Sequence, residues 1–305
     1  MNNLELLKEN NFPVAEVKFG KDKAIGGEKY FPFLNYDNEK CTKPLVAMEV
    51  FDRRYDNMPQ ALKSSIGEDT ASDPVKWAEA CEKEYGADAM LIRLLSLLEE
   101  GEEDKSLETV KRIKEAVNIP LIIWGAGSRK DTEVLTRAAQ LLGGNNILIG
   151  PVNQNNVKLM AESSVNNDHG LIIETPLDIN IAKQIALSLN NSGVDLNKMV
   201  IYPTSGSIGY GFEYAYSISE RIRLAGFSGD KYLSLPLISM PGEVVWGLRE
   251  TNEENPDWGD INKRAYIWEA VTALSYILSG SDIVVVRHPE TVKVLKKKID
   301  ELSGG

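Results

Sequence analysis

KMVIYPTSGSIGYGFEYAYSISERIR, residues 198–223, passes from a buried strand through a loop of small residues into a helix, and the rest of the chain repeats that plan. Met199 to Tyr202 is a short apolar run of strand-forming residues, and Pro203 cannot donate to a sheet ladder, so the strand stops there. Thr204 to Gly211 is rich in glycine and serine. A helix begins around Gly211, where Ala215, Ile218, Ile222 and Ala225 make an apolar stripe, and Gly226 is the expected C-cap. Two readings of the loop glycines are open: a tight strand-to-helix turn, or backbone that lets a ligand or partner surface come close. The loop has neither the Gly-Lys-Ser/Thr ending of a P-loop nor the G-x-G-x-x-G spacing of a dinucleotide site.

Working outward, the same unit recurs from residue 44 onward. The strands are expected at Leu45 to Phe51, Ala89 to Leu94, Pro120 to Trp124, Ile147 to Gly150, Gly170 to Glu174, Met199 to Tyr202, Tyr232 to Ser239 and Ile283 to Arg287. Helices follow each. One opens on Asp73 with Pro74 at its first position, another on Thr175 with Pro176 inside it and Asp178 completing a capping box. Strands of continuous apolar character alternating with amphipathic helices imply a parallel sheet covered on its outside. Eight units predict a (β/α)₈ TIM barrel over residues 44–305, in preference to an open doubly wound sheet, which would carry a glycine-rich first turn after Phe51. Residues 1–43 form an N-terminal extension, read as a hairpin of Val14 to Phe19 and Tyr30 to Phe33 around Gly26-Gly27, packed on the barrel.

The 305 residues carry 34 Lys plus Arg against 45 Asp plus Glu, a formal net charge of -11, which argues against a nucleic-acid partner. No apolar run reaches the roughly 20 residues of a membrane span, and the opening Met-Asn-Asn-Leu-Glu lacks a secretory signal, so a cytoplasmic protein is expected. Two cysteines, Cys41 and Cys81, are too few for an iron–sulfur cluster or structural zinc within this chain, and Cys81 reads as core packing.

A barrel places its site at the C-terminal strand ends. Those positions offer Glu49 and Asp52, Arg93, Gly125 to Ser128, Asn153, Glu174 and Thr175, Thr204 to Gly209, Ser239 to Gly242, and Arg287 with His288. No lysine or cysteine is among them, which argues against Schiff-base and thiol chemistry. Glu49 and Glu174 are read either as ion-binding or proton-moving groups or as partners of Arg93 and Arg287 in a structural ion pair. His169 falls at the opposite end of its strand, and His288 serves either as a helix-start residue or as a catalyst. The long segments Asp52 to Ser72 and Met240 to Lys263, the second with Trp246 and Trp258, are read as loops forming a lid or docking surface.

Several stretches together resemble the small subunit of the corrinoid/iron–sulfur protein, the delta subunit of acetyl-CoA decarbonylase/synthase. They are Gly26-Gly27-Glu28 with Pro32-Phe33, Pro44 to Asp52 with Met48-Glu49-Val50, Tyr85-Gly86-Ala87-Asp88, Pro176 to Ile181, Gly209-Tyr210-Gly211 with Glu220-Arg221-Ile222-Arg223, Trp268 to Ala273, and Arg287-His288-Pro289-Glu290. The pattern departs at Tyr202 and Pro151, where relatives often carry aspartate and asparagine. The resemblance implies a barrel subunit without independent turnover, paired as a heterodimer with a larger subunit that carries the iron–sulfur cluster and shares a corrinoid with it. A methyltetrahydrofolate:corrinoid methyltransferase and acetyl-CoA synthase are the further partners implied, within the Wood–Ljungdahl pathway. Thr175, Thr204, Ser205, Gly206, Gly209 and Arg287 are the cofactor-binding candidates by barrel position, Gly209 and Arg287 also lying in matched motifs. Gly206 and Gly209 would make that loop a movable cap. The alternative is a free-standing barrel methyltransferase acting on a methyl-pterin.

Overall fold

A computed structural model describes residues 12–34 and 42–304. A hairpin, β1 (Val17–Phe19) and β2 (Lys23–Ile25), precedes the parallel strands β3 (Leu45–Phe51), β4 (Ala89–Arg93), β5 (Leu121–Trp124), β6 (Leu148–Val152), β7 (Gly170–Glu174), β8 (Met199–Tyr202), β9 (Ile238–Ser239) and β10 (Ile283–Val286). Their order is β8-β7-β6-β5-β4-β3-β10-β9, and a parallel bridge from Ile201 to Leu237 brings the last strand back to β8. The result is an eight-stranded barrel wrapped by helices, as the repeating pattern predicts.

Alternation along each strand sorts the core into two layers. Val46, Met48 and Val50 face the helices with Ile92, Ile123 and Ile149, whereas Leu45, Ala47, Leu91, Ile122, Leu148, Ile172, Val200 and Val285 fill the lumen. Val17, Phe19 and Ile25 of the hairpin belong to the lumen cluster. Gly20 N–H donates to the carbonyl of Asn146 just before β6, and Ala15 N–H to that of Ser234. The hairpin therefore stoppers the N-terminal end of the barrel, each of its buried side chains contributing about 1.5–3 kcal/mol.

Several boundaries differ from the sequence reading. Tyr30 to Phe33 forms no strand; β1 turns at Gly20–Asp22 and pairs with β2, Val17 opposite Ile25. Gly26 follows the pair, where a Cβ would lie 2.1 Å from the Ala15 carbonyl oxygen, so its requirement is close approach rather than the hairpin turn. The expected strand from Tyr232 shrinks to Ile238–Ser239, because Leu233 and Ser234 N–H turn back to Asp230 and Pro236 offers no donor. Gly226 lies inside the helix Phe212–Phe227, not at its end, pressed against the Leu233 carbonyl. Asp178, with its carboxylate accepting from Asn180 and Ile181 N–H, is the cap of Ile179–Asn191 in place of Thr175. The helix Glu103–Ala116 carries Glu103 and Asp104 in its first turn, where they favour the N-terminal end of its dipole. Asp52 to Ser72 folds into two short helices, Gln60–Ile66 and Glu68–Ser72. The helix opened by Asp73 and Pro74 is present, with Cys81 buried on it and its thiol pKa pushed up by burial. Cys41 lies outside the described residues.

Candidate functional site

The inward alternation ends, at the C-terminal face, in a layer of Glu49, Arg93, Trp124, Gly150, Glu174, Tyr202, Met240 and Arg287. Glu49 is the hub. Its two carboxylate oxygens accept separately from Nε of Arg93 and Nε of Arg287, all three side chains being buried. Arg93 also donates to Glu243 at the rim (3.2 Å), and Tyr202 Oη donates to the other oxygen of Glu243 (3.2 Å). Burial alone raises the Glu49 pKa, but Arg287 and Arg93 outweigh it and hold the carboxyl below its usual range. Two cations thus meet two carboxylates. The structural ion pair, not an ion-binding pair of Glu49 and Glu174, is what the geometry contains.

The aromatic half of the layer closes the lumen. Trp124 meets Tyr202 edge-on, centroids 5.3 Å apart, and both are 3% exposed. A Cβ on Gly150 would stand 2.6 Å from the Trp124 ring, so glycine there makes room for the indole. Glu174, half-buried, has its pKa raised by burial and then by Glu243, with Arg93 opposing. With Met240 1% exposed beside them, the mouth is a filled platform.

A second buried carboxylate frames the platform from behind. Glu269, on the helix Ile261–Leu278, accepts from the N–H groups of Arg287 (2.8 Å) and His288 (3.1 Å) and from the indole N–H of Trp246 (2.7 Å). Burial raises its pKa; Thr291 and these donors oppose that shift. Trp246 is consequently 3% exposed, which corrects its reading as a partner-facing residue. The segment after β9 is likewise no open loop, because it holds the short helices Pro241–Val245 and Arg249–Asn252, with Trp258 covered by the guanidinium groups of Arg249 and Arg264. His288 is the N-cap of Pro289–Leu302, its Nδ1 accepting from Glu290 N–H, and burial lowers its pKa to about 4.

The six residues singled out from the sequence divide into two groups. Thr175 is buried with its hydroxyl donated to the Asp178 carbonyl, and Arg287 is committed to Glu49. The other four lie on the rim. Thr204 donates to the Thr175 carbonyl (2.8 Å), and Ser205 Oγ accepts from Met240 N–H (2.9 Å). Tyr276 Oη both accepts from Gly206 N–H and donates to its carbonyl, each at 2.7 Å, while Trp268 Nε1 donates to Ser207 Oγ (3.1 Å). Gly206 has no room for a side chain, since a Cβ would sit 2.6 Å from the Gly211 carbonyl; Gly209 is exposed with φ +82°. This loop is anchored on the helix behind it, which the reading as a movable cap did not anticipate.

The remaining strand-end candidates serve local structure. Asp52 accepts from Ser96 N–H and Ser106 Oγ, Asp131 accepts from Gly127 and Ser128 N–H, and Asn153 N–H donates to the Asn156 side chain. His169, at the far end of β7, faces the Ala139 carbonyl. Among the described residues no group of three or more His, Cys, Asp or Glu is arranged to hold a metal ion, and no helix is long and apolar enough to cross a membrane. Glu243, Trp124, Glu269 and Tyr276 were not found from the sequence. A signal for Glu269 existed, because it stands among Ala265, Thr272, Ala273 and Tyr276 on the buried face of its helix.

Comparison with known proteins adds the family. The sequence profile described as CO dehydrogenase/acetyl-CoA synthase delta subunit matches residues 16–297. The acetyl-CoA decarbonylase/synthase complex subunit delta of Methanopyrus kandleri is 31% identical over 308 residues, covering 96% of this chain and 76% of that one. Subunit delta 2 of Methanosarcina acetivorans is 34% identical over 297 residues, covering 93% and 67%. Among solved structures, the dihydropteroate synthase of Xanthomonas albilineans with 4-aminobenzoic acid superposes with a TM-score of 0.60 at 14% identity, covering 89% of this chain and 96% of that one. That of Coxiella burnetii in complex with pteroic acid gives 0.58 at 11%, covering 97% and 100%. At such identity the likeness establishes the barrel alone.

Proposed function

From the premise that this chain belongs to the CO dehydrogenase/acetyl-CoA synthase delta subunit family, we propose that it is the non-catalytic barrel subunit of a corrinoid methyl carrier, working in the cytoplasm with the other subunits of the complex. Its heterodimer partner would be the large subunit bearing the iron–sulfur cluster and the corrinoid. The bound corrinoid would supply the cobalt that carries a methyl group from a methyltetrahydrofolate-linked methyltransferase to acetyl-CoA synthase.

The observation that carries this reading is the filled mouth. Arg93, Trp124, Tyr202, Met240 and Arg287 are all buried where the lumen ends, and both arginines are paired within the protein. A flat macrocycle fits such a surface, because Ser205, Gly206 and Gly209 keep one edge low while Tyr276 and Trp268 hold that edge still. Ser205, Gly206, Gly209 and the outer side of Thr204 are the residues of this chain that would lie against the group. Thr175 and Arg287 would support them from beneath. The subunit's part is to exclude water and oxidants from the face it covers.

A free-standing methyltransferase would need open polar groups in the mouth to read a pterin. Titration of the lone chain with methyltetrahydrofolate, beside sedimentation with the large subunit, separates the two. The carrier reading expects no pterin binding and a stable heterodimer; saturable binding to the lone chain, or two subunits that sediment separately, would overturn it.

A further inference from the structure

At the opposite end of the barrel, under the hairpin, two carboxyl groups converge on a single buried cation. Arg223, 1% exposed, reaches across from the helix Phe212–Phe227. Its guanidinium donates to the carbonyls of Gly280 and Leu235, is paired with Asp282, and lies 3.2 Å from Oε1 of Glu28. Gly280 is shaped for this, with φ +108° and the Arg223 chain where a Cβ would stand. Asp282 has a second task, accepting from Leu237 N–H (2.6 Å) where the chain closes the barrel. Glu28 comes from the N-terminal segment, and its Oε2 is buried with no donor to accept from among the described residues.

With both carboxyls ionised, the cluster would bury one charge in excess, and Glu28 Oε2 would be an acceptor facing no donor among the described residues. A proton on Glu28 resolves both problems, because a protonated carboxyl becomes a donor and Asp282 is the acceptor beside it. We propose that Glu28 and Asp282 share one proton over Arg223, and that this proton is what seats the N-terminal segment on the barrel, so the segment loosens when the proton leaves to solvent. Burial, then the Asp282 charge, pushes the Glu28 pKa up to about 8, with Arg223 pulling the other way. Among the described residues, Arg223 of the helix and Asp282 ahead of β10 are the charged side chains that face Glu28. The segment is also tied to the barrel by neutral bonds, Phe12 N–H to the Phe227 carbonyl and Ser234 Oγ to the Pro13 carbonyl, and by Lys23, 3.9 Å from Asp88.

A carboxyl with a raised folded-state pKa stabilises the docked state fully below the unfolded value of 4.5 and loses that contribution as pH rises to about 8. Docking should weaken by up to about tenfold per pH unit across that window and then level off. The test is carbon-13 NMR titration of the Glu28 side-chain carboxyl in the whole chain, together with hydrogen exchange at Phe12, Ala15 and Gly27, corrected for intrinsic rates, in the wild type and Glu28→Gln. A Glu28 midpoint near 8, with segment protection in the wild type falling as pH rises from 4.5 and levelling off near 8, and no such fall in Glu28→Gln, is the expected result. A midpoint near 4.5, or the same pH profile in both proteins, would overturn the proposal; the wild-type titration decides it even if the variant does not fold.

Discussion

The carboxylate of Glu269 takes the backbone N–H of Arg287 as a hydrogen bond at 2.8 Å, so a helix on the outside of the barrel fixes the residue that completes the ion pair at its mouth. Since the same carboxylate holds Trp246 and His288, exchanging it for an amide turns a pure acceptor into a group with two unwanted donors. Glu269→Gln should cost about 2–3 kcal/mol in urea unfolding.

Removing the hub of the mouth should be costlier. Glu49→Gln leaves Arg287 buried without its carboxylate and Arg93 with Glu243 at the rim alone, for which a loss of about 3–5 kcal/mol is expected. Because the Glu49 pKa is depressed, its contribution is present above the unfolded value and is lost as pH falls through the folded one. Acid unfolding of the wild type should therefore be steeper than that of the variant, as followed by circular dichroism from pH 7 downward.

Burial makes His288 resist protonation. Held at about 4 against an ordinary 6.5, it stabilises the fold fully above pH 6.5 and loses that contribution as pH falls toward 4, a total of up to about 3 kcal/mol. Asparagine can cap the helix in its place, so His288→Asn should remove this part of the pH dependence and leave stability at pH 8 nearly unchanged. Melting temperatures of the two proteins at pH 5 and pH 8 check it.

Tyr276 is the anchor of the rim loop through two hydrogen bonds to Gly206. Tyr276→Phe should cost about 1–2 kcal/mol and make residues 204–211 a new site of limited proteolysis, with the barrel otherwise intact.

What could be read beforehand follows the range of the forces involved. Strands such as Ile283 to Val286, buried on both faces, and the Asp73-Pro74 helix start are written locally, in runs of apolar residues and in a cap with its proline. The mouth was legible only as positions: alternation places Glu49, Arg93 and Arg287 at strand ends, and opposite charges made their pairing the simpler of two readings. Trp246 misled because an aromatic in a long polar segment looks exposed until its indole partner, Glu269, arrives from 23 residues away. The hairpin register was lost for a similar reason, since Gly26 answers to the backbone of Ala15 rather than to a turn.

The central claim, that the rim beside Ser205, Gly206 and Gly209 faces the corrinoid, is tested most directly by hydrogen–deuterium exchange of this chain under anaerobic conditions, alone, with the large subunit stripped of corrinoid, and with the loaded large subunit. Amides of 204–211 should slow further in the loaded heterodimer than in the stripped one, while those of the hairpin at the far end do not change. Equal exchange at 204–211 in the two heterodimers would contradict it.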